Sequence, residues 1–154
     1  MSFSVTFWGV RGSIATPGPE TVEVGGNTSC VEVQCGERTL LLDTGTGMRQ
    51  FGQKLLRERK RAQVSVFYSH LHWDHIQGLP FFTPLYMPGT ELDFHGPKGL
   101  PAALAAVVLT RAPSCPPSLR GLVTVRPAGT GRTRTSWLDP WRERLIARCT
   151  LEAR

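Results

Sequence analysis

The chain has 154 residues, 40% of them hydrophobic, and a formal net charge of +6. That length suits one domain with a buried core and excludes a large multidomain assembly. No apolar run is long enough to cross a bilayer and no basic segment followed by an apolar stretch opens the chain, so neither a membrane span nor a secretory leader is expected. The four cysteines are then expected as free thiols in a cytoplasmic protein. The charge is uneven: residues 111–154 hold nine Arg, no Lys and three acidic side chains, which accounts for the whole excess.

Residues 4–8 alternate in polarity and end at Gly9, as an opening strand should. Residues 11–28 are rich in Gly, Pro, Ser and Thr and read as a loop, in which Asn27 and Thr28 are either hydrogen-bonding groups beside a site or an ordinary turn cluster. Residues 29–34 and 38–42 read as two strands of a hairpin across Cys35-Gly36-Glu37. Cys30 and Cys35, five apart on that strand and its turn, face opposite sides and cannot share a metal. Asp43-Thr44-Gly45-Thr46-Gly47 turns the chain into an amphipathic helix with Met48, Phe51 and Leu55 on its apolar stripe and Lys60 and Arg61 closing its last turn. Asp43-Thr44-Gly45 is also how an aspartic protease presents its carboxylate. That chemistry needs no metal and leaves the histidines that follow unexplained.

Residues 64–68, β-branched and aromatic, read as a strand that delivers Ser69-His70-Leu71-His72-Trp73-Asp74-His75 at its carboxyl end. This stretch holds three of the four histidines in the chain. On an extended backbone His70 and His72 point the same way and can meet one ion, while Asp74 and His75 follow a turn and can face a second. Imidazole and carboxylate suit zinc, iron or manganese, and two such ions can bridge a hydroxide that acts as nucleophile. His70, His72, Asp74 and His75 are therefore the candidate ligands of two divalent ions, zinc foremost with manganese or iron as alternatives, and Asp74 is the candidate catalytic carboxylate. Polar surface histidines are the plain alternative, and three with an aspartate in six positions weigh against it.

Residues 76–82 are expected as a short helix, residues 91–95 as a strand with His95 in a structural role, and residues 100–109 as a helix that tolerates Pro101 near its start. Residues 111–154 contain five prolines and no His, Phe or Tyr. They bury too little apolar surface to offset their ordering entropy, so disorder is expected over much of them. A helix opened by Asp139 and Pro140, with Trp141, Leu145 and Cys149 on one stripe, is the exception.

The motif His70-x-His72-x-Asp74-His75, with Leu41-Leu42-Asp43-Thr44-Gly45 and Gly78-Leu79-Pro80 around it, resembles the signature of the metallo-β-lactamase-fold hydrolases. Trp8-Gly9-Val10-Arg11-Gly12-Ser13 and Gly25-Gly26-Asn27-Thr28-Ser29-Cys30 are similar to the branch that holds cyclic-phosphate and cyclic-nucleotide phosphodiesterases and tRNA 3′-end endonucleases. The resemblance implies an α/β fold, the N-terminal half of a metallo-β-lactamase-type αββα sandwich, over residues 1–110, followed by a poorly ordered basic tail over 111–154. It also implies metal-dependent hydrolysis of a small-molecule or nucleotide phosphodiester, and that Asp43 accepts a hydrogen bond from the free ring N–H of a ligand histidine. The later ligands of that family find no counterpart after Gly96 apart from Asp139. A truncated or frame-shifted hydrolase, with its break between about Val107 and Cys115, is therefore expected. The alternatives are a non-catalytic metal-binding remnant and a basic nucleic-acid-binding module; oligomeric state is open, with a dimer as one option.

Overall fold

The computed structural model describes residues 3–109, 123–127 and 147–153. Strand β1 (Phe3–Gly9) pairs antiparallel with β2 (Cys30–Cys35), and β2 with β3 (Arg38–Leu42), closing the expected hairpin at Gly36, whose φ of 58° favours a residue without a side chain. Helix α1 (Met48–Arg57) then carries the chain across so that β4 (Gln63–Phe67) runs parallel to β3, and β5 (Glu91–Gly96) is parallel to β4. Helix α3 (Leu100–Leu109) follows. Two further strands, β6 (Val123–Pro127) and β7 (Ala147–Ala153), complete a sheet of order β1-β2-β3-β4-β5-β7-β6.

Burial decides the two faces of this sheet. Leu41, Val64, Val66, Leu92 and Phe94 point to one side, where Met48, Phe51 and Leu55 of α1 and Leu100, Leu104 and Val107 of α3 close over them. Phe51 stacks on Phe82 with ring centroids 5.8 Å apart and touches Trp8 at 6.3 Å. The register places Phe7, Val31, Leu42, Phe67 and His95 in one row on the other face. There Phe3 and Phe7 are 68% and 67% exposed, and Val5, Leu42 and Phe67 are also exposed. One helix-covered face and one open apolar face are what half of an αββα sandwich consists of, and the α/β expectation holds.

Three expectations are corrected in detail. The short helix expected over residues 76–82 begins earlier: α2 is Trp73–Ile76, opened by an extended His72, and tight 3-10 turns at Leu79–Phe81 and Thr83–Tyr86 replace its continuation. The Gly78 N–H goes to the Thr44 carbonyl at 2.8 Å instead of the helix ladder and Pro80 has no N–H to continue it, while a side chain at Gly78 would overlap the Gly45 carbonyl. Lys60 lies just beyond α1, where its N–H donates to the Leu55 carbonyl at 3.0 Å while its ammonium pairs with Glu58 at 2.7 Å on the surface. Cys149, expected on a helical stripe, belongs to β7 opposite Phe94 of β5. The rest of the helix expected from Pro140, and the boundary at residue 110, lie outside the described residues.

Candidate metal centre

β3 and β4 run side by side, so the segments leaving their carboxyl ends meet at one end of the sheet. From β3 comes Asp43, from β4 the stretch 69–75. Asp43 is 5% exposed and has a φ of 60°, a left-handed backbone that costs a non-glycine residue about 1–2 kcal/mol. Its carboxylate gathers the neighbouring strand end: Ser69 N–H donates to Oδ1 at 2.9 Å, Ser69 Oγ lies 2.8 Å from Oδ2, and His75 Nδ1 lies 2.8 Å from Oδ2. Since a carboxylate only accepts, the Nδ1–H of His75 is the donor and Nε2 is directed away from Asp43. The bond from a histidine ring N–H that the resemblance implied for Asp43 is present. Ser69 Oγ also lies 3.0 Å from Nδ1 of His70. With its own proton on Asp43, that hydroxyl accepts from His70 and leaves the Nε2 of His70 for other work.

The two turns are locked to each other. Thr44 N–H donates to the His75 carbonyl at 2.8 Å, Gly78 N–H to the Thr44 carbonyl at 2.8 Å, and the Thr44 hydroxyl meets that of Tyr68 at 2.8 Å in a buried contact. Asn27 and Thr28 stitch the same region from the side: Thr46 Oγ1 donates to Asn27 Oδ1 at 3.1 Å, and Thr46 N–H to Thr28 Oγ1 at 2.8 Å. Their role here is to brace the turn after Asp43.

The structure brings His70, His72, Asp74 and His75 into one cluster. The ring of His70 lies 4.4 Å from that of His72 and 4.0 Å from that of His75, centroid to centroid. Asp74 is buried on α2, and its Oδ2 faces His75 Nε2 at 3.3 Å. Burial by itself pushes the Asp74 carboxyl up, but the Ser13 N–H, its own N–H, and the His75 and His70 rings together hold it below the ordinary carboxylate range. His95 lies on β5 instead, stacked on Phe67 at 4.6 Å with its Nε2 3.3 Å from Asp93, in keeping with a structural role.

The donor types suit a divalent transition ion. In a tetrahedral site with bonds of about 2.0–2.1 Å, adjacent donors sit roughly 3.3–3.4 Å apart, which matches the His75–Asp74 pair. Among the described residues, however, no group of three or more His, Cys, Asp or Glu donors converges on one point. The residues therefore fit such an ion in kind and, for one pair, in spacing, without enclosing it. Sequence reasoning missed two contributors. Ser69 was named only as part of the motif, and Ser13, whose N–H donates to Asp74 Oδ2 at 2.8 Å from 61 positions away, acts through a backbone group that every residue but proline carries.

A comparison with curated proteins gives no match. Similar solved structures include the short form of human tRNase Z, 27% identical, covering 71% of this chain and 40% of that one with a TM-score of 0.47. A Thermotoga maritima protein of metallo-beta-lactamase type is 15% identical, covering 77% of this chain and 56% of that one with a TM-score of 0.40. The chain thus spans less than two thirds of either neighbour. The family model described as beta-lactamase superfamily domain matches residues 38–136, a stretch that takes in Asp43, the histidine cluster and the turns that brace them. With the sheet, the site and this match in agreement, the chain belongs to the metallo-beta-lactamase superfamily.

Proposed function

We propose that the chain carries the metal-ligand loop of a metal-dependent phosphodiester hydrolase, with His70, His72, Asp74 and His75 as donors to divalent ions, zinc foremost. The observation that carries this reading is the His75–Asp74 pair. His75 gives its Nδ1 proton to Asp43, and its Nε2, an acceptor when it carries no proton, lies 3.3 Å from an Asp74 carboxylate oxygen. Two such acceptors face each other at low cost only when a proton or a metal cation lies between them. A bound divalent ion would supply electrostatic activation of water and stabilisation of a phosphoryl oxygen. Asp43 orients His75, Ser69 orients His70, and α2 fixes Asp74 beside them. The resemblance of residues 8–13 and 25–30 to the phosphodiesterase branch supports a cyclic-phosphate or nucleotide substrate, with nucleic acid as a larger alternative. No helix among the described residues is long and apolar enough to cross a membrane, and the free thiols Cys30 and Cys35 support a reducing, cytoplasmic setting.

Zinc calorimetry on the full chain tests the reading. A pair of facing donors with two adjacent imidazoles predicts weak binding, and the double change His70→Ala, His72→Ala should weaken it at least about tenfold. Binding that is unchanged in the double variant would sink the assignment. Turnover of bis-p-nitrophenyl phosphate by the zinc- or manganese-loaded chain separates a hydrolase from a non-catalytic metal binder. An incompletely enclosed ion predicts very slow turnover that disappears in Asp74→Ala.

A further inference from the structure

We infer that the Ser13 backbone N–H is a positioning group of the metal centre, presented by the loop after β1 to set Asp74 against His75. The inference rests on the proposed metal reading and adds to it a group from outside the histidine motif. Ser13 N–H donates to Asp74 Oδ2 at 2.8 Å, and that same oxygen faces His75 Nε2 at 3.3 Å. His75 is held from its far side by Asp43 at 2.8 Å. The spacing of the pair is therefore fixed by two anchors, one on each partner: Asp43 for the imidazole and Ser13 for the carboxylate.

The loop is built to deliver that N–H. Val10 N–H and Arg11 N–H both donate to the Asn27 carbonyl, at 3.0 and 2.9 Å, and Thr16 N–H donates to the Gly26 carbonyl at 2.9 Å, so residues 10–16 are tied down at both ends. Between the ties Ser13 takes a φ of 66°, the left-handed region, without being glycine. Of the three non-glycine residues in that region among those described, two are Ser13 and Asp43, the two anchors. Backbone in that region is held there by its surroundings, and here both cases place a hydrogen-bonding group on one member of the same pair. A tethered carboxylate loses rotamer freedom before an ion arrives, which raises affinity by removing part of the ordering cost.

The test replaces the Ser13 amide by an ester in the full chain, which removes the N–H and weakens the Gly12 carbonyl that accepts from Ile14 N–H at 2.8 Å. Ser13→Ala is the control that keeps the N–H, and an Ile14 ester, which preserves the Gly12 to Ser13 amide, is the control for the weakened acceptor. Zinc calorimetry should give a dissociation constant ten- to a hundredfold weaker for the ester, as loss of an outer-shell partner does, and within about twofold of native for Ser13→Ala. Cobalt(II) absorption should change its band shape in the ester and not in Ser13→Ala, a response that general loosening of the loop would not give. An ester that binds zinc as tightly as the native chain overturns the positioning role and leaves the metal reading standing. Absence of zinc binding in the native chain overturns both. Should the ester fail to fold, amide exchange in the native chain decides: the Ser13 N–H should exchange slowly and respond to zinc at the calorimetric constant, and a fast-exchanging, unresponsive amide would refute the role.

Discussion

Asp43 serves three side chains, those of Ser29, Ser69 and His75, and a backbone N–H with one buried carboxylate while its own backbone sits in a disfavoured region. Truncating it leaves the Ser69 N–H and the His75 ring without their acceptor, each at a cost of about 1–3 kcal/mol, partly offset by what the carboxylate's own burial costs. Asp43→Ala should therefore lower unfolding stability by about 2–4 kcal/mol in urea and weaken zinc binding ten- to a hundredfold. A change under about 0.5 kcal/mol, the range of ordinary surface substitutions, would show that Asp43 is not the hub. Asp43 was legible in the sequence as a strand-end aspartate, because it follows an apolar strand directly and precedes Thr-Gly, and its bond to a histidine was implied by the family resemblance. Ser13 was not legible, because its side chain carries none of its role.

At the scale of elements, β2 shows how one strand serves two environments. Cys30 is fully buried and Cys35, at the other end, is exposed. Burial first, then the nearby Asp43 and Glu32 carboxylates, pushes the Cys30 thiol up beyond the usual thiol range. A thiol raised in the folded state contributes stability that is complete below its unfolded value of about 8.5 and is lost as pH rises above it. The urea midpoint should thus fall between pH 7.5 and 9.5, and fall less in Cys30→Ala. In peptide maps after brief alkylation of the native protein, Cys35 should label at least about ten times faster than Cys30; equal labelling would contradict the burial. The same scale explains which elements could be read. The apolar stripe of α1 and the length of α3 gave them away, whereas the four residues of α2 are too few to show a period. β6 and β7 do alternate, as Val123-Thr124-Val125-Arg126 and Ala147-Arg148-Cys149-Thr150-Leu151-Glu152-Ala153, but the Arg- and Pro-rich sequence around them masks so short a pattern, and β7 pairs with the edge that β5 offers.

For the molecule as a whole, the parallel strands β3 and β4 matter most, since they bring Asp43 and residues 69–75 to the same end of the sheet. The fold class came from the family resemblance, and the half-sandwich that the resemblance implied leaves one face of the sheet open among the described residues. That face exposes Phe3, Val5, Phe7, Leu42 and Phe67. What the sequence did not show is how far the ligands would close around an ion, because convergence depends on distances across the sheet end that residue types leave open. The central claim is that His75 and Asp74 hold a divalent ion between them. Zinc-edge X-ray absorption on the zinc-loaded chain tests it directly: nitrogen and oxygen neighbours at about 2.0–2.1 Å with imidazole among them, and loss of that shell in the double change Asp74→Ala, His75→Ala, are the result predicted. An unchanged shell in the double variant, or a zinc ion surrounded by oxygen alone in the native chain, would contradict it.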